Sequence, residues 1–374
     1  MKILFLTNYP VPYRIDFFNE LGKLCDLTVL FEQRPGEVSD REQIGITAAF
    51  QLFKGEFLHG PRIKLGCYYL NFDALSWVIK ANQYDVVIFG IYSSPTQAMM
   101  ITLMKLLRQI YVLNSDGGFI KDDRFVAKQI KHFLIRNATL YLASGESTKR
   151  YLEHYGADPE RVRVYPFTSL KEKDVMKEPA SKERIAMLRK QYGIPEKLVV
   201  LGVGQFIKRK GWDVLLEAAQ ALSSDTGVYI VGGNENEEYL QLINRYGLQS
   251  VHFLPFMGKE ELSNYYTLSD LFVLPTREDI WGLVINEAMA HGLPVITTKS
   301  CLAGLELVED GVNGYLVDRD DVTALADRMN TLLWNEGLRV QMSENNRKKI
   351  KAYTVEKMAA VTAEILAAGP KCTP

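Results

Sequence analysis

Residues 198–218 read LVVLGVGQFIKRKGWDVLLEA and contain the pattern that decides the fold. The apolar run LVVLGV predicts a buried strand, and the spacing of apolar residues from Trp212 onward predicts an amphipathic helix. Between them lies a glycine-bearing loop with three consecutive cations, Lys208, Arg209 and Lys210. A strand, a loop and a helix in this order are typical of one unit of a doubly wound parallel sheet.

The same alternation extends along the chain. The apolar runs KILFLT, DLTVLF, YDVVIFGIY, IYVLNS and TLYLAS occupy the first half, and GVYIVGG, SVHFLPF, LFVLPT, PVITT and GYLV follow in the second. This rhythm predicts the α/β class, with parallel sheets wrapped by helices. The alternation stops between about residues 166 and 195, where the sequence is rich in charged residues and has no strand pattern.

We therefore predict two Rossmann-like, doubly wound domains that face each other across a cleft. Residues 1–168 form the first domain, 169–195 a linker with one helix, and 196–350 the second domain. Residues 351–374 form a terminal helix that packs back on the first domain. Ligands are expected at the carboxyl ends of the strands of both domains.

Composition excludes several classes of protein. The balance of 44 Lys and Arg against 45 Asp and Glu gives no overall attraction to nucleic acid. The opening MKILFLT is interpreted as a buried strand rather than a signal peptide, and no run of about 18 apolar residues predicts a spanning helix. A cytoplasmic location, with contact to the inner face of a membrane left open, is predicted. The four cysteines, interpreted as free thiols, and the five histidines show no metal-site spacing, so no metal is expected: Cys25, Cys67, Cys301 and Cys372; His59, His132, His154, His252 and His291.

The stretch REDIWGLVINEAMAHGLPVI, residues 277–296, suggests a ligand with both phosphate and hydroxyl groups. Gly282 at the mouth of a predicted helix lets an anion approach backbone N–H groups and the positive end of the helix dipole. Asp279 and Glu287 are suited to accepting hydrogen bonds from the vicinal hydroxyls of a sugar. A nucleotide-sugar presents both kinds of group.

The segments GQFIKRKGWDVLLEA, EDIWGLVINEAMAHGLPVI and GLELVEDGVNGYLV, in this order, resemble the donor-binding domain of the retaining family 4 glycosyltransferases. The resemblance covers about the last half of the chain. It implies the metal-independent two-domain architecture called GT-B, with a nucleotide-sugar bound mainly by the C-terminal domain.

Carried over by position, the family's acid pair falls on Asp279, which would hold the donor sugar, and Glu287, which would hold the ribose. The backbone N–H groups of Gly282, Leu283 and Val284 would face the diphosphate. The first acid here is an Asp, one methylene shorter than the family's Glu, so either the sugar preference differs or the adjacent Glu278 contributes.

The family's cationic pair is matched at one position only. Lys210 corresponds to the second cation, but Gln205, just after Gly204, replaces the first. Gly204 and Gln205 are still assigned to donor binding, because an amide can donate a hydrogen bond although it cannot neutralise charge. We assign the missing charge to Arg209. IVGGNENEEY resembles the nucleotide-side loop of the family, and FLPFM, with Phe256, would lie along the base. The alternative is that both segments are ordinary strand ends.

The N-terminal half resembles the family less closely. Its first loop, TNYPVPYRIDFF, has two prolines and no glycine, which places Tyr13 and Arg14 at a helix start on the acceptor side. Arg14 would meet a phosphate, or is an ordinary surface arginine. Asp116 follows the strand of IYVLNS, where relatives often have a cleft histidine, and is assigned to the reaction centre; the alternative is an Asp that only opens a turn.

The stretch FIKDDRFVAKQIKHFLIR, residues 119–136, predicts a basic amphipathic helix. Such a helix either docks on an anionic membrane or is a solvated face. Its position in the acceptor-side domain favours a membrane-bound, lipid-linked acceptor. Its cations are Lys121, Arg124, Lys128, Lys131 and Arg136.

The sequence thus predicts an enzyme, a retaining glycosyltransferase of the hexosyltransferase type. It would move a sugar from a nucleoside-diphosphate sugar to a hydroxyl of a lipid-linked glycan in cell-surface polysaccharide synthesis. The expected donor is a UDP-sugar. No cofactor other than this co-substrate is expected. Two alternatives stay open: a nucleotide-sugar 2-epimerase of the same fold, which needs further acid and base groups in the first domain, and a non-catalytic two-lobed sugar-binding protein.

Overall fold

The structure is a computed structural model, and it describes residues 1–34, 49–66, 68–233 and 237–369. The chain divides into two compact units. Unit 1 comprises Met1–Ser169 together with the chain from Thr354 onward, and unit 2 comprises Leu170–Tyr353. Residues 170–195, predicted as a linker, therefore belong to unit 2.

Each unit is built on a parallel sheet. Within the described residues, unit 1 has a seven-stranded sheet of order β3-β2-β1-β6-β7-β8-β9 and a separate antiparallel hairpin, β4-β5, and unit 2 has a six-stranded sheet of order β12-β11-β10-β13-β14-β15. The strands are β1 (Lys2–Thr7), β2 (Asp26–Phe31), β3 (Lys54–Phe57), β4 (Arg62–Leu65), β5 (Tyr68–Asn71), β6 (Val86–Phe89), β7 (Val112–Ser115), β8 (Leu140–Ala143), β9 (Val162–Val164), β10 (Leu198–Val203), β11 (Thr226–Val231), β12 (Val251–Leu254), β13 (Leu271–Leu274), β14 (Val295–Thr298) and β15 (Gly314–Val317).

Helices connect the strands of both sheets. Short 3₁₀ turns are also present, and one of them, Lys208–Lys210, lies just before the helix that begins at Trp212. The α-helices are α1 (Pro12–Gly22), α2 (Ala74–Lys80), α3 (Pro95–Leu106), α4 (Phe125–Ile135), α5 (Glu146–His154), α6 (Lys182–Gln191), α7 (Trp212–Ala219), α8 (Glu237–Tyr246), α9 (Lys259–Leu268), α10 (Leu283–Ala290), α11 (Leu302–Leu307), α12 (Val322–Leu333), α13 (Glu336–Ile350) and α14 (Val355–Ala368).

The strand orders place a topological switch point in each unit. In unit 2 the chain runs outward from β10 through β11 to β12, then returns to pair β13 with β10. The loops that follow β10 and β13 therefore leave the sheet side by side, and ligands of open α/β sheets bind at such points. In unit 1 the equivalent neighbours are β1 and β6.

The core strands are fully apolar because both sheet faces are covered. In β10, the residues from Val199 to Leu201 have no exposed surface, and the same holds for all of β13. This explains why continuous apolar runs, rather than alternating ones, predict these strands. In unit 1, α14 packs against α1.

Every apolar run identified in the sequence forms a strand, and the prediction of α/β units with doubly wound parallel sheets is confirmed. Four strands were not predicted. Strands β3 and β9 are short edge strands with charged residues, and the hairpin β4-β5 is largely exposed, so none has a long apolar run. The predicted helix around residues 119–136 is α4, which begins at Phe125.

In the part of the chain that the structure describes, no helix has the length and apolar character needed to cross a membrane.

Candidate functional site

Two loops approach each other closely at the switch point of unit 2. They are the loop from Gly204 to Gly211, after β10, and the loop from Pro275 to Gly282, after β13. Gly211 has φ 73°, and a Cβ there would lie 2.1 Å from the carbonyl oxygen of Pro275. Only glycine fits this position, so the residue before α7 is what allows the loops to touch.

The first loop is fixed by Trp212. Its side chain is fully buried, and its Nε1 donates a hydrogen bond to the carbonyl oxygen of Gln205 at 2.9 Å. A Cβ at Gly202 would lie 2.8 Å from the indole, and one at Gly204 would lie 3.3 Å from it. The glycines of LVVLGVG therefore make room for this indole beneath the loop, while the side chain of Gln205 is exposed.

The cations of the first loop meet the acid of the second. Lys210 Nζ donates to Asp279 Oδ2 at 2.5 Å, and Arg209 Nη1 lies 3.7 Å from Asp279 Oδ1. Arg209 Nη1 also donates to the carbonyl oxygen of Glu278 at 2.6 Å. The side chains of Lys210 and Asp279 are only 11% and 13% exposed, whereas that of Arg209 is 44% exposed. Three residues singled out in the sequence thus form one charge cluster.

Arg277 ties the two loops together from the other side. Its backbone N–H donates to the carbonyl oxygen of Arg209 at 2.8 Å, and its guanidinium donates to that of Lys208 at 2.6 Å. The same guanidinium forms a two-pronged ion pair with Asp213 and a further pair with Asp320. These carboxylates hold the pKa of Arg277 above its ordinary value. Arg277 thus has a structural role that the sequence did not suggest.

Gly282 begins α10 beside the charge cluster. It has φ 96°, and a Cβ there would lie 2.7 Å from Cys301 Sγ and 3.8 Å from Asp279 Cγ. The backbone N–H groups of Leu283 and Val284 form the start of this helix, and Gly282 provides its N-cap without a side-chain hydrogen bond. Burial raises the pKa of the Cys301 thiol to about 12, so a neutral sulfur lines this helix start.

A buried hydrogen bond locks the entry to α10. Trp281 Nε1 donates to Asn286 Oδ1 at 3.0 Å, and both residues are buried. The backbone of Trp281 accepts hydrogen bonds from Ala303 N and from Cys301 Sγ. The bulky indole that stands before the lone glycine therefore anchors the loop.

Glu287 lies one turn along α10 and is held by a tyrosine of the neighbouring helix α9. Tyr266 Oη donates to Glu287 Oε2 at 2.9 Å, and Tyr266 is only 2% exposed. Burial and the adjacent carboxylate raise the pKa of Tyr266 well above its usual range, so it stays a donor. His291 stacks on this ring at 5.4 Å between centroids, and burial lowers its pKa to about 4.

Phe256 follows the edge strand β12 and is 71% exposed. Phe253, within β12, packs edge-on against Phe206 at 5.1 Å. The role of Phe256 and its neighbours along the base stays a prediction. The middle of IVGGNENEEY, residues 234–236, lies outside the described residues.

In unit 1, Arg14 and Asp116, two of the other predicted residues, belong to one hydrogen-bonded group. Arg14 Nη2 donates to Asp116 Oδ1. Asn114 Nδ2 donates to the same oxygen at 2.9 Å, and Tyr165 Oη donates to it at 3.3 Å. Arg14 is only 4% exposed, so the hypothesis that it is an ordinary surface arginine is wrong, while its contact with a phosphate stays a prediction. Tyr13 packs edge-on against Phe167.

Two residues and one hydrogen bond of these sites could not be predicted from the sequence. Tyr266 lies in the middle of an ordinary helix, and the Trp281–Asn286 hydrogen bond joins two residues within one motif. Tyr165 directly follows β9, a strand of only three residues that the sequence analysis did not predict. Had β9 been predicted, Tyr165 would have been a candidate site residue, because ligands bind at the carboxyl ends of parallel strands.

In the described parts of the chain, no three His, Cys, Asp or Glu side chains come together as ligands for a metal ion. Independence from metal stays a prediction. Cys25 and Cys301 are free thiols, while Cys67 and Cys372 lie outside the described residues.

Parts of this chain are similar in sequence to known glycosyltransferases. Residues 185–349 match the family model described as glycosyl transferases group 1. An uncharacterised glycosyltransferase of Haemophilus influenzae is 34% identical over 168 residues, 44% of this chain and 47% of that protein. The lipopolysaccharide glucosyltransferase WaaG of Escherichia coli is 27% identical over 56% of this chain and 54% of that protein. The chain thus spans about half the length of these curated relatives.

Solved structures resemble the whole chain. HepE of Anabaena in complex with UDP superposes with a TM-score of 0.81 at 21% identity, covering 98% of this chain and 100% of that chain. A solved structure of WaaG, a glycosyltransferase involved in lipopolysaccharide biosynthesis, gives a TM-score of 0.68 at 18% identity over 98% and 100% of the two chains. The predicted GT-B fold class is confirmed.

Proposed function

We propose that this chain is a retaining, metal-independent glycosyltransferase that moves a sugar from a nucleoside diphosphate to a hydroxyl of a glycan. The observation that carries the proposal is the charge cluster of Lys210, Arg209 and Asp279 beside the start of α10. It lies where the strand order reverses, and it combines cations for a diphosphate with an acid for sugar hydroxyls.

The charges fit the demand of the reaction. Breaking the bond between the anomeric carbon and the diphosphate oxygen leaves its electron pair on the diphosphate. Stabilising this developing negative charge is the largest contribution that the site can make to lowering the activation barrier. Lys210, Arg209 and the N–H groups at the start of α10 provide it. As the family resemblance implies, the acceptor attacks from the face that the diphosphate leaves, and a leaving-phosphate oxygen takes the acceptor's proton.

The donor in this proposal is a UDP-sugar. HepE, whose fold this chain shares, has been solved with UDP and with UDP-glucose. Glu287, with one oxygen held by Tyr266, would accept hydrogen bonds from the ribose hydroxyls. Asp279 would hold the sugar, and the exposed Phe256 would lie along the base.

The acceptor in this proposal is a lipid-linked glycan, an intermediate of cell-surface polysaccharide, reached at the cytoplasmic face of a membrane. The similarity to WaaG, a lipopolysaccharide glucosyltransferase, supports this choice. Helix α4 supports it further, because Phe125, Val126 and Ile130 are 76%, 67% and 54% exposed on a helix that also carries cations. Exposed apolar side chains among cations are typical of interfacial helices.

Further exposed apolar side chains lie at and just after the end of α3. Leu106, Leu107 and Ile110 are 75%, 59% and 61% exposed. Lys105 joins the two helices, because its Nζ donates to the carbonyl oxygen of Phe133 near the end of α4. Exposed apolar groups from two packed helices give a broader surface than α4 alone.

A panel experiment tests the proposed function. The full chain is incubated with UDP-glucose, UDP-galactose, UDP-N-acetylglucosamine and GDP-mannose, with and without EDTA and with and without a lipid-linked glycan mixture. We expect one donor to raise the melting temperature and to release its nucleoside diphosphate only when acceptor is present, with the product linkage keeping the donor's anomeric configuration.

Other outcomes favour the alternatives. Conversion of the donor to its 2-epimer without acceptor would indicate the epimerase. Binding of a sugar without release of nucleotide would indicate a binding protein. Loss of all activity with EDTA would contradict the metal-independent reaction.

A further inference from the structure

Asp116 uses its two carboxylate oxygens unequally. Arg14, Asn114 and Tyr165 all donate to Oδ1. Among the described residues Oδ2 has no hydrogen-bond donor, although a carboxylate oxygen accepts two such bonds readily. The Asp116 side chain is 30% exposed, so this second oxygen is open to a ligand.

The group that holds Asp116 is unusually costly to bury. The Arg14 guanidinium lies within 6.0 Å of the ring centroids of Phe5, Phe17 and Phe167, and its Nη1 is buried without a hydrogen-bond partner in the described chain. Buried ion pairs of this kind rarely add stability over an apolar replacement. The arrangement is therefore explained better by what it does to Asp116 than by its contribution to folding.

The three donors come from three separate segments at the carboxyl end of one sheet. Arg14 lies on α1, Asn114 on β7 and Tyr165 just after β9. Together they fix the position and orientation of one carboxylate, as donors around a binding group must. An Asp that merely opened a turn would need its own backbone as a partner rather than three distant side chains.

We infer that Asp116 is a hydroxyl-binding residue for the sugar acceptor, and that Arg14, Asn114 and Tyr165 are positioning residues that leave Oδ2 free to accept that hydroxyl's hydrogen bond. The inference rests on the proposed function, because it takes the ligand to be a glycan. It assigns Arg14 a role different from phosphate binding, since its charge is already matched by Asp116.

Direct binding tests the inference without turnover. Methyl α-D-glucopyranoside, methyl α-D-galactopyranoside and methyl α-D-mannopyranoside are titrated onto the full chain, with detection by saturation-transfer NMR, and UDP binding is measured in parallel. In Asp116→Asn the glycoside dissociation constant should rise tenfold or more, because a charge-assisted hydrogen bond is lost. UDP affinity should stay unchanged.

Tyr165→Phe separates positioning from packing. We expect about a fivefold rise in the glycoside dissociation constant, as for the loss of one hydrogen bond. The matched control is Tyr141→Phe, since Tyr141 is also buried in unit 1 and donates to the carbonyl oxygen of Ile135. This control should lower stability while leaving glycoside binding unchanged.

If Asp116→Asn fails to fold around the buried Arg14 charge, the double variant Arg14→Leu with Asp116→Asn removes both charges. It should fold, bind UDP and lose the glycoside. Glycoside binding equal to wild type in either variant, an equal effect of Tyr165→Phe and Tyr141→Phe, or no glycoside binding by wild type would overturn the inference. Failure of the wild type to bind any nucleotide-sugar would instead overturn the proposed function.

Discussion

Lys210 Nζ and Asp279 Oδ2 lie 2.5 Å apart, so the cation proposed for the diphosphate is already paired with the acid proposed for the sugar. Both side chains are largely buried, which strengthens their attraction relative to a surface pair. In the proposed function, an arriving diphosphate shares this cation with Asp279. We therefore expect binding of the diphosphate and release of the carboxylate toward the sugar to be coupled.

The first prediction is that Asp279→Asn separates nucleotide binding from transfer. Removing the carboxylate frees Lys210 and removes a negative charge near the diphosphate, so the dissociation constant for UDP should fall about fivefold, or about 1 kcal/mol. Sugar transfer should fall sharply. Calorimetry with UDP and a transfer assay measure the two effects, with Asp225→Asn, which removes a surface pair with Lys197, as control. Weaker UDP binding would show that Asp279 positions Lys210 rather than competing for it.

The second prediction concerns Lys210→Ala, which removes the less exposed cation of the cluster. Turnover should fall by roughly 10²-fold or more, as for the loss of one group that stabilises a developing charge. The neighbouring Lys208→Ala is the matched control, because Lys208 lies in the same 3₁₀ turn and is exposed. Similar turnover in the two variants would argue against a specific role for Lys210.

A third prediction tests the support of Glu287. Glu287→Gln should weaken UDP binding by roughly 1.5–3 kcal/mol, because charge-assisted hydrogen bonds to the ribose are lost. Tyr266→Phe should weaken it by about fivefold, since the carboxylate loses the donor that orients it. Tyr265→Phe, a change of the adjacent buried residue of α9, should leave UDP affinity unchanged. Wild-type affinity in Glu287→Gln would refute the ribose assignment.

A fourth prediction follows from His291. Burial lowers its pKa from 6.5 to about 4, so below pH 6.5 the unfolded chain binds a proton that the folded chain does not. The free energy of unfolding should therefore fall as the pH drops from 6.5 to 4, by at most about 3 kcal/mol, and this term should level off below pH 4.

Urea denaturation of wild type and His291→Phe at several pH values between 7 and 4 measures this term. Phenylalanine keeps a ring that can stack on Tyr266 but does not titrate. The variant should lose less stability on acidification than the wild type. Identical pH dependence of the two proteins would contradict the prediction.

The sequence predicted those features that depend on local patterns. Buried strands and the loop of Lys210 were recognisable because apolar runs and glycines follow from the sheet itself. The pairing of Lys210 with Asp279 was not, because it joins residues 69 positions apart through the reversal of strand order. The burial of Arg14 was also hidden: a helix-start arginine looks solvated until the aromatic residues around it, such as Phe167, are brought together by folding.

The last prediction is that the full chain binds anionic vesicles through α4. Only some cations of α4 are suitable for substitution in a test of vesicle binding. Lys131 Nζ is paired with Asp123 at 2.7 Å and lies 4.7 Å from the ring centroid of Tyr155, so its replacement would disturb folding. Lys128 and Arg136 are exposed. Each cation near an anionic surface contributes about 1 kcal/mol, and salt weakens the attraction over a Debye length of about 8 Å.

Lys128→Glu with Arg136→Glu should therefore reduce co-sedimentation with phosphatidylglycerol vesicles at low salt, while Lys348→Glu with Lys349→Glu, on α13 of unit 2, should not. Phe125→Ser with Ile130→Ser should reduce the binding that persists at high salt, since apolar insertion is not screened. Transfer to a short soluble acceptor should be unchanged in all of them. Equal sedimentation of the α4 variants and the wild type would make this helix a solvated surface and would remove the main structural reason for a lipid-linked acceptor.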